Sequence, residues 1–331
     1  MNNPKNFVDE MIDGILAAHP DQLECINNKF SGLIVKGSPK NNKVGLLTGG
    51  GSGHLPLFLG YVGKGMLDGC AIGNIFASPS AKTMLELTKA VNGGKGVIYI
   101  YGNYGGDVIN FNMAAEMADM EGIIVEQILG NDDVASAPKG SEANRRGVAG
   151  IFFIYKIAGA CAEEMASIEE VKRIAEKTKD NVRTMGVGLY PCILPEVGKP
   201  TFEIDEGDME IGIGIHGEPG IMKGILKPVD EIVEEIMEKI LADLPFNPGT
   251  EVAVLINGLG ATPKEELYII YRKVHQILKS NAINVYYPYL GEFATSLEMA
   301  GMSISLLNLD DELKYFLSKP AYTPFFSQLQ L

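Results

Sequence analysis

Cysteine is scarce: Cys25, Cys70, Cys161 and Cys192 are the only four in 331 residues, and no two of them form a CxxC pair. A zinc site built on such pairs is disfavoured, and reduced thiols with packing roles are expected. Long hydrophobic runs are missing as well. No window approaches the ~20 apolar residues that span a bilayer, and the stretch MNNPKNFVDEMIDG has neither a basic n-region nor an apolar h-region. No membrane contact and a cytoplasmic location are therefore expected. Positive charge is the third shortage, with 28 Lys and Arg against 42 Asp and Glu and a net charge of −14. Such a field repels nucleic acid and suits solubility or a basic protein partner. Neither an internal repeat nor a low-complexity segment breaks the chain. Apolar residues, at 46%, are ample for a buried core, and the length fits two domains of about 150 residues each.

Strand-like runs at 43–49, 70–76, 96–102 and 123–129 alternate with amphipathic stretches, a rhythm that implies βαβ crossovers and a largely parallel sheet. Two helical segments follow at 148–166 and 167–185, the second opening on a capping box of Ser167 and Glu170. The remainder predicts strands at 208–215, 251–257, 282–288 and 303–308 and helices at 228–243 and 263–280, with glycine and proline gathered in the connections. The expected architecture is thus α/β in two domains. Residues 1–185 form the first, with a largely parallel sheet flanked by helices, and 186–331 form a smaller domain on a mixed sheet.

Four segments could carry chemistry. TGGGSGHLP at 48–56 follows an apolar run and precedes a predicted helix, so its N–H groups could converge on an anionic or polyhydroxy ligand; a tight glycine turn with no ligand fits the same letters. It departs from the P-loop, having no GK[ST] at the required spacing, and from GxGxxG, since His54 stands where the last glycine belongs. Of four histidines, His19 before Pro20 and His275 inside a helix suit structural roles, whereas His54 and His216 each sit among glycines at a strand end. A neutral imidazole is a competent nucleophile toward a carbonyl carbon, and an ordinary pKa of ~6.5 leaves such a ring largely unprotonated at neutral pH. In YGNYGGDVINFNMA at 101–114, Asp107 opens a helix, as an N-cap or as a carboxylate for acid–base work on a small polyol. Arg145 and Arg146, in the polar loop at 131–150, are solvated charges or a contact for an anion or partner. Asn257, at the head of NGLGATP, reads as part of a turn.

The segments GGGSGHLP, GYVGKGML, IFASPS, NYGGDVINF, NDDV, RRGVAG, PEVGKP, GIGIHGEPG, NGLGATP, TSLEMAG and LLNLDDEL, in this order over nearly the whole chain, resemble the K-type, substrate-binding subunit of dihydroxyacetone kinases. The resemblance implies a two-domain α/β homodimer whose ketone substrate forms a hemiaminal with His216. It implies that Asp107 acts as base and His54 as a general acid–base or orienting group on the substrate hydroxyls, with Gly51, Ser52, Gly53, Ser78 and Gly102 at the substrate. No cofactor or metal is implied on this chain; ATP or tightly held ADP with magnesium would sit on a separate L-type subunit, in keeping with the missing P-loop.

Two departures from the family pattern concern the sugar. Leu55 stands where glutamate is common, and Gly102 replaces a substrate-contacting lysine found before Asn-Tyr in many members. Loss of a long cation removes a donor and opens space, which suits a larger ketose such as a tetrulose or weakens dihydroxyacetone binding. A second function class follows from the same resemblance, since paralogues bind the sugar and report it to a transcriptional regulator without serving a kinase.

Overall fold

The run Val-Ile-Tyr-Ile-Tyr-Gly at Val97–Gly102 is buried at every position, as a strand covered on both faces must be. It lies inside a six-stranded sheet seen in a computed structural model, which describes residues 1–26 and 31–331. The strands are β1 (Leu23–Cys25), β2 (Gly32–Val35), β3 (Gly45–Ser52), β4 (Gly69–Ile75), β5 (Val97–Gly102) and β6 (Val125–Gly130), in the order β1-β2-β4-β3-β5-β6. The four from β3 to β6 are mutually parallel, and β1 and β2 add an antiparallel edge. Helix α1 (Phe7–Ala18) precedes the sheet. Helix α2 (Ala81–Val91) starts where the Ser80 side chain accepts the Thr83 N–H, and buries Ala81, Met84, Leu85, Thr88 and Val91 at helical spacing. Helix α3 (Gly105–Asp119) follows β5.

The chain divides into two compact units, and neither is one continuous segment. The first comprises Met1–Gly130, Phe153–Thr178 and Leu313–Leu331; the second comprises Asn131–Phe152 and Lys179–Glu312. A single junction at 185/186 was expected, and the division differs because helix α4 (Ile151–Glu163), from Phe153 onward, and the last segment belong to the first unit. That last segment begins within α8 (Asp311–Leu317). From it the Tyr322 N–H donates to Lys64 O at 2.8 Å, and Thr323 Oγ1 donates to Gly60 O at 2.7 Å. Helix α5 (Ile168–Asp180) starts at Ser167, whose hydroxyl accepts the Glu170 N–H as expected, and the Glu170 carboxylate also pairs with Arg173.

Strand β7 (Val182–Tyr190) occupies what the sequence predicts as the end of that helix. From Val182 the chain pairs along β14 (Ala300–Leu309), and this register with a central strand overrides any helical continuation. A short ladder joins β8 (Ile193–Leu194) to β9 (Lys199–Pro200), and β10 (Asp208–Ile211) pairs with β11 (Met222–Ile225). The predicted strand at 208–215 stops at Ile211 because Gly212 turns the chain at φ +80°. With β12 (Glu251–Gly258) and β13 (Asn284–Gly291) the second sheet has the order β11-β10-β7-β14-β12-β13, antiparallel except where α7 (Lys264–Ser280) crosses from β12 to β13. Val252, Val254 and Ile256 alternate along β12, Met302, Ile304 and Leu306 along β14. All six share a core with residues of α6 (Val229–Asp243) and α7. A final two-stranded pair, β15 (Ala321–Tyr322) and β16 (Ser327–Gln328), belongs to the first unit. Among the described residues no helix is long and apolar enough to cross a membrane.

Candidate functional site

In the first sheet β4 lies on one side of β3, while β5 and β6 continue on the other. Strand order therefore reverses between β3 and β5, and the carboxyl ends of two such strands diverge into a crevice where α/β sheets receive ligands. Strand β3 carries its pairing with β4 through Gly49, Gly50 and Gly51 to Ser52. The glycines are required by close approach. A Cβ on Gly50 would fall 2.3 Å from Phe58 Cε2, and one on Gly51 would fall 2.6 Å from the Ala77 nitrogen. Ser52 Oγ donates to Gly73 O at 2.8 Å, and Ser52 O accepts the Phe76 N–H at 3.0 Å. These bonds tie the loop to the end of β4.

Gly53, at φ +105°, then turns the chain. The helix expected after this loop is absent; a turn leads into a single 3₁₀ turn at Leu59–Tyr61, since Pro56 and the left-handed Phe58 interrupt α-helical geometry. His54 is 1% exposed. Its ring stacks on Phe76 at 4.8 Å between centroids and meets Phe58 edge-on at 6.0 Å. Aromatic packing, which the sequence did not advertise, sets the plane of this imidazole.

Gly102 closes β5, paired with Gly130 of β6. Two residues on, Tyr104 is the N-cap of α3, so Asp107 is no N-cap; it sits in the first helical turn, where an anion is favoured by the helix dipole, and it is buried. Burial first, then the negative charge of Asp107, push the Tyr101 hydroxyl above its ordinary pKa, and that hydroxyl donates to Gln127 Oε1 at 2.7 Å. Ser78, between β4 and α2, accepts the Asn110 Nδ2–H at 3.1 Å, and its Cβ lies 3.4 Å from where a Gly106 Cβ would stand. Gly51, Ser52, Gly53, His54, Ser78, Gly102 and Asp107 thus all belong to the carboxyl edge of one sheet.

His216 belongs to the second unit, on the turn after β10. Its Nδ1 lies 2.9 Å from Glu218 Oε1, and its backbone N–H donates to Glu218 Oε2 at 3.0 Å. Burial works against the Glu218 charge, but the hydrogen bonds and charge of His216 prevail and bring that carboxyl down to about 2. An ionised carboxylate only accepts, so Nδ1 is the nitrogen that donates to it, and whenever the ring is neutral Nε2 holds the lone pair. Behind Glu218 stands Arg146, with Nη1 3.9 Å from Oε2. Arg146 donates through Nε to Asp133 Oδ2 at 2.9 Å and through Nη2 to Gly212 O at 3.1 Å.

Neither arginine of the polar loop is solvated or offered to an anion. Arg145, 1% exposed, forks onto Asp243 at 2.8 and 2.6 Å and also donates to Ala137 O. Asn257 is likewise more than a turn residue: fully buried, it accepts the N–H groups of Phe293 and Ala294 and donates to Ala294 O and Ser303 Oγ. The neighbouring Ser296 hydroxyl donates to Ile215 O, beside His216. Glu218 and Asp133 are the residues that sequence reasoning missed, and Arg146 was singled out there without these partners. An acid two places after a glycine-framed histidine was the one available signal. Among the described residues no group of three His, Cys, Asp or Glu side chains is placed to hold a metal ion.

The Dak1 domain matches residues 13–325. Over 98% of both chains the sequence is 45% identical to a protein of Listeria innocua serovar 6a named PTS-dependent dihydroxyacetone kinase 2, dihydroxyacetone-binding subunit DhaK. It is 39% identical to a D-erythrulose kinase of Mycolicibacterium smegmatis, over 99% of this chain and 56% of that longer one. The structure is similar to that of the dihydroxyacetone kinase operon co-activator Dha-DhaQ, with a TM-score of 0.90 and 33% identity over 97% of this chain and 98% of that one.

Proposed function

The chain belongs to the Dak1 domain family, and from that premise we propose that it is the substrate-binding subunit of a dihydroxyacetone-type kinase, holding a short ketose as a hemiaminal on His216. The observation that carries this reading is the hydrogen bond from His216 Nδ1 to the Glu218 carboxylate, which leaves Nε2 as the nucleophilic nitrogen of the ring. Addition to a carbonyl carbon selects ketoses over polyols such as glycerol, which offer only hydroxyls. Asp107 removes the proton from the hydroxyl that attacks phosphorus, and His54 orients the substrate or exchanges protons with it. Gly51, Ser52, Gly53, Ser78 and Gly102 line the path of the sugar. A separate L-type subunit, carrying ATP or tightly held ADP with magnesium, delivers the phosphoryl group, and the chain described here acts as a homodimer. Tethering turns the meeting of hydroxyl and phosphate into an oriented reaction, a gain of up to ~7–11 kcal/mol.

The similarity to a co-activator, together with Leu55 and Gly102, supports a second reading in which the bound ketose is sensed rather than phosphorylated. One experiment separates the two. The protein is mixed with a purified L-type subunit, its phosphoryl donor and ketoses of three to five carbons, and phosphorylated product is followed. Turnover is expected, with a tetrulose accepted alongside dihydroxyacetone; capture without turnover of any sugar would transfer the assignment to the sensor. Asp107→Asn is expected to abolish transfer and spare capture, and undiminished transfer removes Asp107 from the mechanism.

A further inference from the structure

Glu218 spends both carboxylate oxygens on His216, one on the ring and one on the backbone amide. It is therefore aligned in two places and cannot rotate away without breaking both bonds. Arg146 approaches Oε2 from behind, and its guanidinium is in turn fixed by Asp133 and the Gly212 carbonyl. Asp133 is fixed as well: its Oδ1 accepts the Ala135 N–H at 3.0 Å, and its own N–H donates to Arg146 O at 3.1 Å. Asp133 is 3% exposed. Charges alternate along the line: carboxylate, guanidinium, carboxylate, imidazole. A lone surface pair would need none of this support.

We propose that Asp133, Arg146 and Glu218 form a positioning relay for His216, one that fixes Nε2 as the attacking nitrogen and stabilises the positive charge that the ring gains as the carbon–nitrogen bond forms. This deepens the reading that His216 captures a ketone and rests on it. The addition balances as N–H across C=O. The Nε2 lone pair makes the new bond to the carbonyl carbon, the π pair of the carbonyl moves to its oxygen, and that oxygen takes a proton from solvent. The ring would be left cationic. The Glu218 carboxylate stabilises that cation until the Nδ1 proton leaves to solvent, so a neutral hemiaminal forms with no net proton consumed. Arg146 keeps Glu218 ionised and aimed, and Asp133 keeps Arg146 in place, the division of labour of an acid that orients a histidine extended by one ion pair.

The test uses the full chain with nitrogen-labelled histidine and dihydroxyacetone carbon-labelled at the ketone, followed by NMR. In the ligand-free protein the His216 nitrogens are expected to report Nδ1–H and an unprotonated Nε2, and the ketone carbon signal is expected to convert to a hemiaminal signal on mixing. Glu218→Gln, at a partly buried position that tolerates the change, is expected to slow adduct formation about 100-fold or more, the cost of losing the charge that orients the ring and stabilises its cation. Glu218→Asp is expected to recover part of that loss. Arg146→Met is expected to mix the two ring tautomers while the unfolding curve keeps its cooperative shape. Capture by Glu218→Gln at the wild-type rate, or Glu218→Asp no faster than Glu218→Gln, overturns the relay. Absence of any hemiaminal signal in the wild-type protein overturns the tether itself and the relay's chemistry with it, a failure distinguishable because it appears before any substitution is made.

Discussion

At Gly51 an added Cβ would strike backbone, 2.6 Å from the Ala77 nitrogen and 2.7 Å from Phe76 Cα. At Gly214 it would strike the ends of two side chains, 2.1 Å from Glu218 Oε2 and 2.5 Å from Arg146 Nη1. The edge of the first sheet gets its shape from main chain packed against main chain, with aromatic rings holding His54 between them. The His216 turn gets its shape from charged side chains that reach across the second unit. A methyl group should therefore damage the two in different currencies, stability in the first and chemistry in the second.

The largest expected effect tests the charged region. Asp243→Ala leaves Arg145 buried without its carboxylate, and a loss of about 3–5 kcal/mol is expected in urea unfolding; a loss below ~1 kcal/mol would show that the second unit does not depend on its ion pairs. Next comes Lys156 in the first unit, fully buried and bonded at 3.3 Å to Phe316 O. Burial lowers its pKa from 10.5 to about 7. Between those values the unfolded chain binds the proton that the folded one has released, so this group makes stability rise as pH rises from about 7 to 10.5. Lys156→Met should remove about 2–4 kcal/mol of that rise, read from unfolding curves across the window.

Gly51→Ala follows, with about 1–3 kcal/mol lost to overpacking against backbone. Gly214→Ala should cost less than this in stability yet slow ketose capture, because its neighbours can swing aside only by leaving His216. Equal stability losses at the two glycines would erase the contrast. The smallest effect is Ser80→Ala, which removes the cap of α2 for about 1 kcal/mol, read as a thermal-melting shift with the His54 surroundings unchanged.

Much of this was legible before folding. The run from Val97 to Gly102 announced a buried strand, and the glycine frames of His54 and His216 marked both as candidates for ligand contact. Contiguous residues carry such signals because strand period and turn chemistry are local. The helix predicted over 167–185 ends at Asp180 although helical letters run on, because the pairing of Val182 with Leu307 is decided by a distant strand. Asp133 and Arg146 lie in segments that read as loop, and the approach of Arg146 to Glu218 depends on where β10 ends. His54 was legible as a residue but not as a ring stacked on Phe76, since no spacing rule joins a glycine loop to the end of the next strand. Arg145, a charge in a polar loop, gave no hint of burial because its partner Asp243 closes a helix far along the chain.

The return of residues 313–331 to the first unit has a temporal consequence. During synthesis the His216 turn is made well before Tyr322 and Thr323, whose bonds to Lys64 and Gly60 brace the stretch that leaves the His54 loop. The glycine loop, made early, is thus among the last parts of the first unit to be locked, and a nascent chain halted short of these residues would carry the His216 turn finished and the stretch after His54 still unbraced.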